Sequence, residues 1–186
     1  MEFDEGAAKS DTRITIRGLA PTRGRQNVAV LVDGIDVSTE AISNSGGGVL
    51  LNTRLVDIER LEVVKGPQMA RYGRSAFAGA IEYITKDPSE VFESTFSLDA
   101  NAEEQYSATM GLSGPVLGDK LGLRFNGAWW NEKGFYDNAI TGDSLGDDEG
   151  YGLALSAKSQ VTDTISLNFR AEYQDQQAGP SATQFL

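Results

Sequence analysis

The sequence predicts two parts of different kind: a small α+β domain with a mixed sheet and short helices over residues 1–90, then antiparallel β strands of a truncated transmembrane β-barrel over residues 91–186. Three observations carry this. Two apolar strand-like runs, LEVV at 61–64 and AIEYIT at 80–85, are joined by a segment dense in glycine and basic residues. Beyond Val91 come strands of about ten residues, each apolar on one face and polar on the other, the signature of outer-membrane barrels. The charge also splits: residues 1–90 carry eleven Lys or Arg against thirteen Asp or Glu, and residues 91–186 carry five against fourteen.

In the first part, residues 1–12 are polar and expected to be disordered. RITIRG (13–18) alternates charged and β-branched residues and reads as a short strand ending at a glycine turn. LAPTRGRQN (19–27) reads as a loop. VAVLVDG (28–34) is a continuous apolar run, expected as a strand buried on both faces, and Asp33-Gly34 is a turn signal. A long loop is expected over 35–49, freed by Gly46, Gly47 and Gly48. Leu51, Leu55 and Ile58 are spaced for a short amphipathic helix over 50–60. LEVVKGP (61–67) is a strand stopped by Gly-Pro; Gly73 and Gly79 are turn positions, and AIEYITK (80–86) is a further strand.

In the second part, Phe96 and Leu98 share a face with Ala100, against Glu93, Thr95, Ser97 and Asp99. Tyr106, Met110 and Leu112 follow, then Leu123, Phe125 and Trp129 against Arg124 and Asn126. Tyr151, Leu153 and Leu155 stand against Ser156 and Lys158, and Leu167, Phe169 and Tyr173 against Asn168, Arg170 and Glu172. Short connections at PVLGDK (115–120) and VTDT (161–164) alternate with a long acidic loop over 132–150. Tyr106, Trp129, Tyr151 and Tyr173 lie at the long-loop ends, where an interfacial aromatic belt forms. A soluble β-sandwich also alternates, but its strands are commonly half this length.

Several function classes drop out. A net charge of −11 argues against nucleic acid as a partner. With no Cys and no His there are no disulfides, thiolate metal sites or His-based triads, and no cofactor or metal is expected. The loop ending in DSLGDDEG (143–150) lacks the EF-hand spacing, and GPQMARYGRSAFAG (66–79) lacks the glycine and lysine pattern of a phosphate loop. Asp33 with Asp36 is the nearest approach to a catalytic pair, and nothing places the two as acid and base. The chain is not expected to be an enzyme; a surface ligand-binding protein is the competing class.

IRG (16–18), VLVDGI (30–35), DIERLEVVKGP (57–67) and RYGRSAFAGAIEYITKDP (71–88) resemble, in order and spacing, the plug domain of TonB-dependent outer-membrane receptors. Lys65 stands where that family often has Arg, and Glu82 where Asn is common. The resemblance implies a barrel of about 22 strands with the plug folded inside, in the outer membrane of a Gram-negative bacterium among lipid and lipopolysaccharide. It implies uptake of a scarce ligand, a ferric siderophore first and cobalamin, haem or oligosaccharide otherwise, driven by the proton gradient through TonB. Met1–Thr12 shows neither a signal peptide nor a convincing TonB box, so the chain is expected to be a piece unable to transport alone. By resemblance, loops 19–27 and 36–48 face the ligand, with Arg23, Arg25, Gln26, Asn44 and Ser45 as candidate contacts. Arg60, Glu62, Lys65, Arg71, Arg74 and Lys86 form a charged band expected to dock the plug on the barrel wall, where Glu93, Asp99 and Glu172 are candidate partners.

Overall fold

A strand that is apolar on both sides is stable only if both sides are covered, and β3 (Val28–Val32) meets that condition. The computed structural model describes residues 2–5, 12–19, 27–37, 55–118, 120–138, 141–142, 144–162 and 164–179. Val28 packs with Ile14, Ile16, Ala78 and Ile81, while Ala29 and Leu31 pack with Ala76 and Ala80. β3 pairs parallel with β6 (Gly79–Thr85), from Val28↔Gly79 to Val32↔Tyr83. β4 (Ile35–Asp36) and β5 (Ile58–Lys65) add antiparallel, giving a mixed sheet of order β4-β3-β6-β5. The β3–β4 turn has positive φ at Asp33 and Gly34, the type I′ geometry that suits strand twist. Both Asp33 carboxylate oxygens are engaged by Thr85, from its N–H at 2.9 Å and its hydroxyl at 2.7 Å. Gly79 is required by close approach: a Cβ there would overlap the Val64 carbonyl oxygen and lie 2.9 Å from Ile16 Cδ1. A single helical turn, α1 (Met69–Tyr72), ends at Gly73 with φ 80°.

The second sheet is antiparallel, of order β13-β12-β9-β8-β7. Its strands are β7 (Glu93–Ala100), β8 (Gln105–Pro115), β9 (Leu121–Glu132), β12 (Asp148–Thr162) and β13 (Ile165–Ala178). Register aligns the apolar residues in rows across it. One row runs Phe96, Met110, Gly127, Leu153, Tyr173; the next runs Ala108, Trp129, Tyr151. This face is exposed, with Phe96 73% and Leu167 59% accessible. The opposite face buries Ser113, Arg124, Trp130, Ala154 and Ser156. The Tyr151 and Tyr173 rings lie 6.1 Å apart on this exposed face. No helix among the described residues is long and apolar enough to cross a membrane.

The chain divides into two compact units, Met1–Arg54 with Ile58–Thr85, and Leu55–Asp57 with Lys86–Leu186. Four expectations change. Glu2–Glu5 is a strand, β1, paired with β2 (Thr12–Thr15), because ladder hydrogen bonds satisfy a backbone that its side chains leave undirected. RITIRG therefore belongs to a two-stranded ribbon, and β4, inside the expected 35–49 loop, supplies the fourth strand of the mixed sheet. The helix expected over 50–60 is contradicted at its C-terminal end, since Ile58–Arg60 pairs with β6; tertiary pairing overrides a helical spacing of apolar residues, and 50–54 lie outside the described residues. The 132–150 loop is shorter than expected. β10 (Tyr136–Asp137) pairs with β11 (Ser144–Leu145), and β12 already begins at Asp148.

Candidate functional site

The buried face of the five-stranded sheet is a polar surface built by register. One row across it reads Glu93, Ser113, Arg124, Ser156, Arg170, and the adjacent row reads Thr95, Gly111, Asn126, Ala154, Glu172. Two arginines stand on β9 and β13 with only small residues between them. Into that gap fits the tripeptide Leu55–Asp57, which belongs to this unit although it lies far earlier in the chain. Asp57 accepts from Arg124 Nε at 2.5 Å and Nη2 at 2.7 Å, a bidentate pair, with Asn126 Nδ2 at 3.4 Å. The side chains of Asp57 and Arg124 are 2% and 8% exposed.

Val56 is held through its main chain. Its N–H donates to Glu172 Oε1 at 3.1 Å, and its carbonyl accepts from Arg170 Nη2 at 2.7 Å. Arg170 also donates to Ser156 Oγ at 3.2 Å and to Glu172 Oε2 at 2.7 Å, so each polar group is used. The buried Val56 side chain takes the space that a side chain at Gly152 would occupy: a Cβ there would come 2.5 Å from Val56 Cγ2. Asp57 has φ 67°, so the chain turns sharply as it leaves the tripeptide. Its carbonyl accepts from Lys86 N–H at 3.1 Å. The segment after Lys86 is laced to the same face: Asp87 pairs with Lys158, Ser89 N–H donates to Ser113 Oγ at 2.8 Å, and Pro88 covers Gly122.

Towards the β9–β12 connection, Asp148 collects Trp130 Nε1 at 3.1 Å and Gln176 Nε2 at 3.0 Å. Gln176 Oε1 accepts in turn from Gln174 Nε2 at 3.3 Å. Shallow polar clefts of about 300 and 250 Å³ share Tyr106 and Glu132 at this end of the sheet. Lys133 Nζ donates to Glu104 at 2.9 Å, a bond that raises the lysine pKa. No cluster of three metal-ligating side chains is found among the described residues. The arrangement is chemically a holder of a peptide segment: two arginines, two carboxylates and a glycine floor.

Comparison with known proteins fixes the context. Residues 2–80 match the family model of the TonB-dependent Receptor Plug Domain. That stretch is a TonB-dependent receptor plug domain. It is 32% identical over 136 residues to the ferric enterobactin receptor PirA of Pseudomonas aeruginosa, and 33% over 135 residues to the ferrienterobactin receptor of Escherichia coli. Each alignment covers 66% of this chain; the chain spans 18% and 17% of these relatives' length. Its fold is similar to that of the ferric yersiniabactin uptake receptor FyuA of Yersinia pestis, with a TM-score of 0.79 and 21% identity, over 94% of this chain and 27% of that one.

The plug-loop candidates Arg23, Arg25, Gln26, Asn44 and Ser45 all lie outside the described residues. Of the charged band, Arg60 and Glu62 come together: Arg60 Nε donates to Glu62 at 2.8 Å and Nη1 to Glu59 at 3.0 Å, all on the exposed surface of β5. Arg71 stacks its guanidinium 5.1 Å from the Tyr72 ring centroid. Lys65, Arg74 and Lys86 are exposed. Asp57 was not among the expected residues. Gly152 carried the available signal, since glycine inside a strand marks close approach of another group, here the Val56 side chain.

Proposed function

We propose that residues 1–90 form the plug and residues 91–186 the first strands of the barrel of an outer-membrane receptor that imports a ferric siderophore. The observation that carries this reading is the union, in one chain, of a plug sequence with a sheet that is apolar where exposed and charged where covered. Such a sheet suits hydrocarbon outside and a polar lumen inside. The names of the enterobactin receptors among its relatives support a catecholate-type ferric ligand. Transport is driven through TonB by the inner-membrane proton gradient, the barrel sits in outer-membrane lipid beneath lipopolysaccharide, and no enzymatic step is involved. Arg23, Arg25, Gln26, Asn44 and Ser45 meet the ligand from the plug loops through charge-assisted and neutral hydrogen bonds. Arg60, Glu62, Lys65, Arg71, Arg74 and Lys86 form the charged band that adjusts the plug against the lumen.

The test is uptake of ferric enterobactin by a receptor carrying this sequence, in a host without its own siderophore receptors. Iron-restricted growth should be restored, and lost on deletion of TonB or addition of a protonophore. Binding that ignores the proton gradient would identify a non-transporting surface protein instead. Arg23→Ala with Arg25→Ala should weaken binding at least tenfold; unchanged affinity removes both residues from the ligand site.

A further inference from the structure

Leu55–Asp57 is held at three kinds of point. Its main chain is gripped at both the N–H and the carbonyl of Val56, its carboxylate is clamped by both arms of Arg124, and its side chain fills a void left by Gly152. Both charges of the clamp are almost fully buried, so lifting the segment breaks a well-formed bidentate ion pair. The Arg60 pairs on β5 are half exposed and open at little cost. A rearrangement that must release something releases the exposed pairs first. The left-handed turn at Asp57 bends the chain where the tripeptide passes into β5.

We infer that Leu55–Asp57 is a stationary foot, which stays seated on the strand wall through the transport cycle while the rest of the plug rearranges. Arg124 and Arg170 are its positioning residues. This rests on the transport reading above, and the foot is a property of the chain whichever ligand is carried.

A disulfide decides it. The sequence has no cysteine to interfere. A Cβ at Gly152 would stand 3.9 Å from Val56 Cβ, inside the range of about 3.5–4.5 Å for a disulfide. Val56→Cys with Gly152→Cys, oxidised in a receptor carrying this sequence, should take up ferric enterobactin within twofold of the same protein reduced. Uptake that falls tenfold on oxidation and returns on reduction, with binding retained, overturns the proposal, because the foot then has to leave. A second arm needs no transport: Val56→Cys alone in purified receptor should react with a maleimide at least tenfold more slowly than in combination with Asp57→Asn. Equal rates overturn the proposal by showing that the clamp seats nothing. If the unsubstituted receptor ignores ferric enterobactin, the ligand reading fails while the labelling arm still judges the foot.

Discussion

The two sheets of this chain use side-chain alternation in opposite senses. In β3 of the mixed sheet both faces are apolar and both are buried, and the charged residues of the edge strand β5 stand in solvent. In β12 of the large sheet Leu153 and Leu155 are exposed while Ala154 and Ser156 are buried, and the buried face carries an arginine–aspartate pair. The first sheet hides its apolar residues and turns its charges outward. The second is arranged for a medium that rewards exposed leucine and phenylalanine, with its polar groups gathered and mutually satisfied on the other side. An eleven-residue strand with an apolar face says little alone. Five such strands in register, with the apolar rows uncovered, distinguish this sheet from half of a soluble sandwich.

The largest test of that contrast is Arg124→Ala, which leaves the buried Asp57 carboxylate with no cation and only the long Asn126 contact. It should cost about 3–5 kcal/mol, read as a fall in the urea midpoint of the folded receptor in detergent. Leu31→Ala, in the strand covered on both faces, should cost about 2–5 kcal/mol by the same measurement. A much smaller loss would mean that the mixed sheet is not the core of its unit. Leu153→Arg should cost about 2–4 kcal/mol if its row meets the bilayer interior, measured by reversible folding into lipid vesicles. A negligible change would mean that the row faces water, and the comparison between the sheets would collapse. Smallest is Arg60→Ala, whose exposed partners return to solvent; no measurable shift in the urea midpoint is expected.

Much of this was readable from the sequence where one short-range rule dominates. The run VAVLV admits hardly anything but a strand covered twice, and the alternation after Val91 assigns each side chain of the second sheet to its face. The misread stretch is instructive. Leu51, Leu55 and Ile58 have helical spacing, yet Ile58 finds a partner in Thr85, and Asp57 finds one in Arg124. Neither pairing leaves a local trace, because both partners are distant in the chain. In DIERLE the aspartate looks like one more solvated charge. Only its burial distinguishes it from Glu59 and Glu62, and burial is decided by register on another sheet.

Trp129 and Trp130 are adjacent and are the two tryptophans of the chain. Strand geometry turns them to opposite faces, one about half exposed among the aromatic belt and the other 1% exposed beside Asp148. The chain therefore carries two emitters of one kind, a residue apart, looking onto different surroundings. Brominated lipid should quench the first and leave the second bright, so a single emission spectrum divides into a lipid-side and a lumen-side signal.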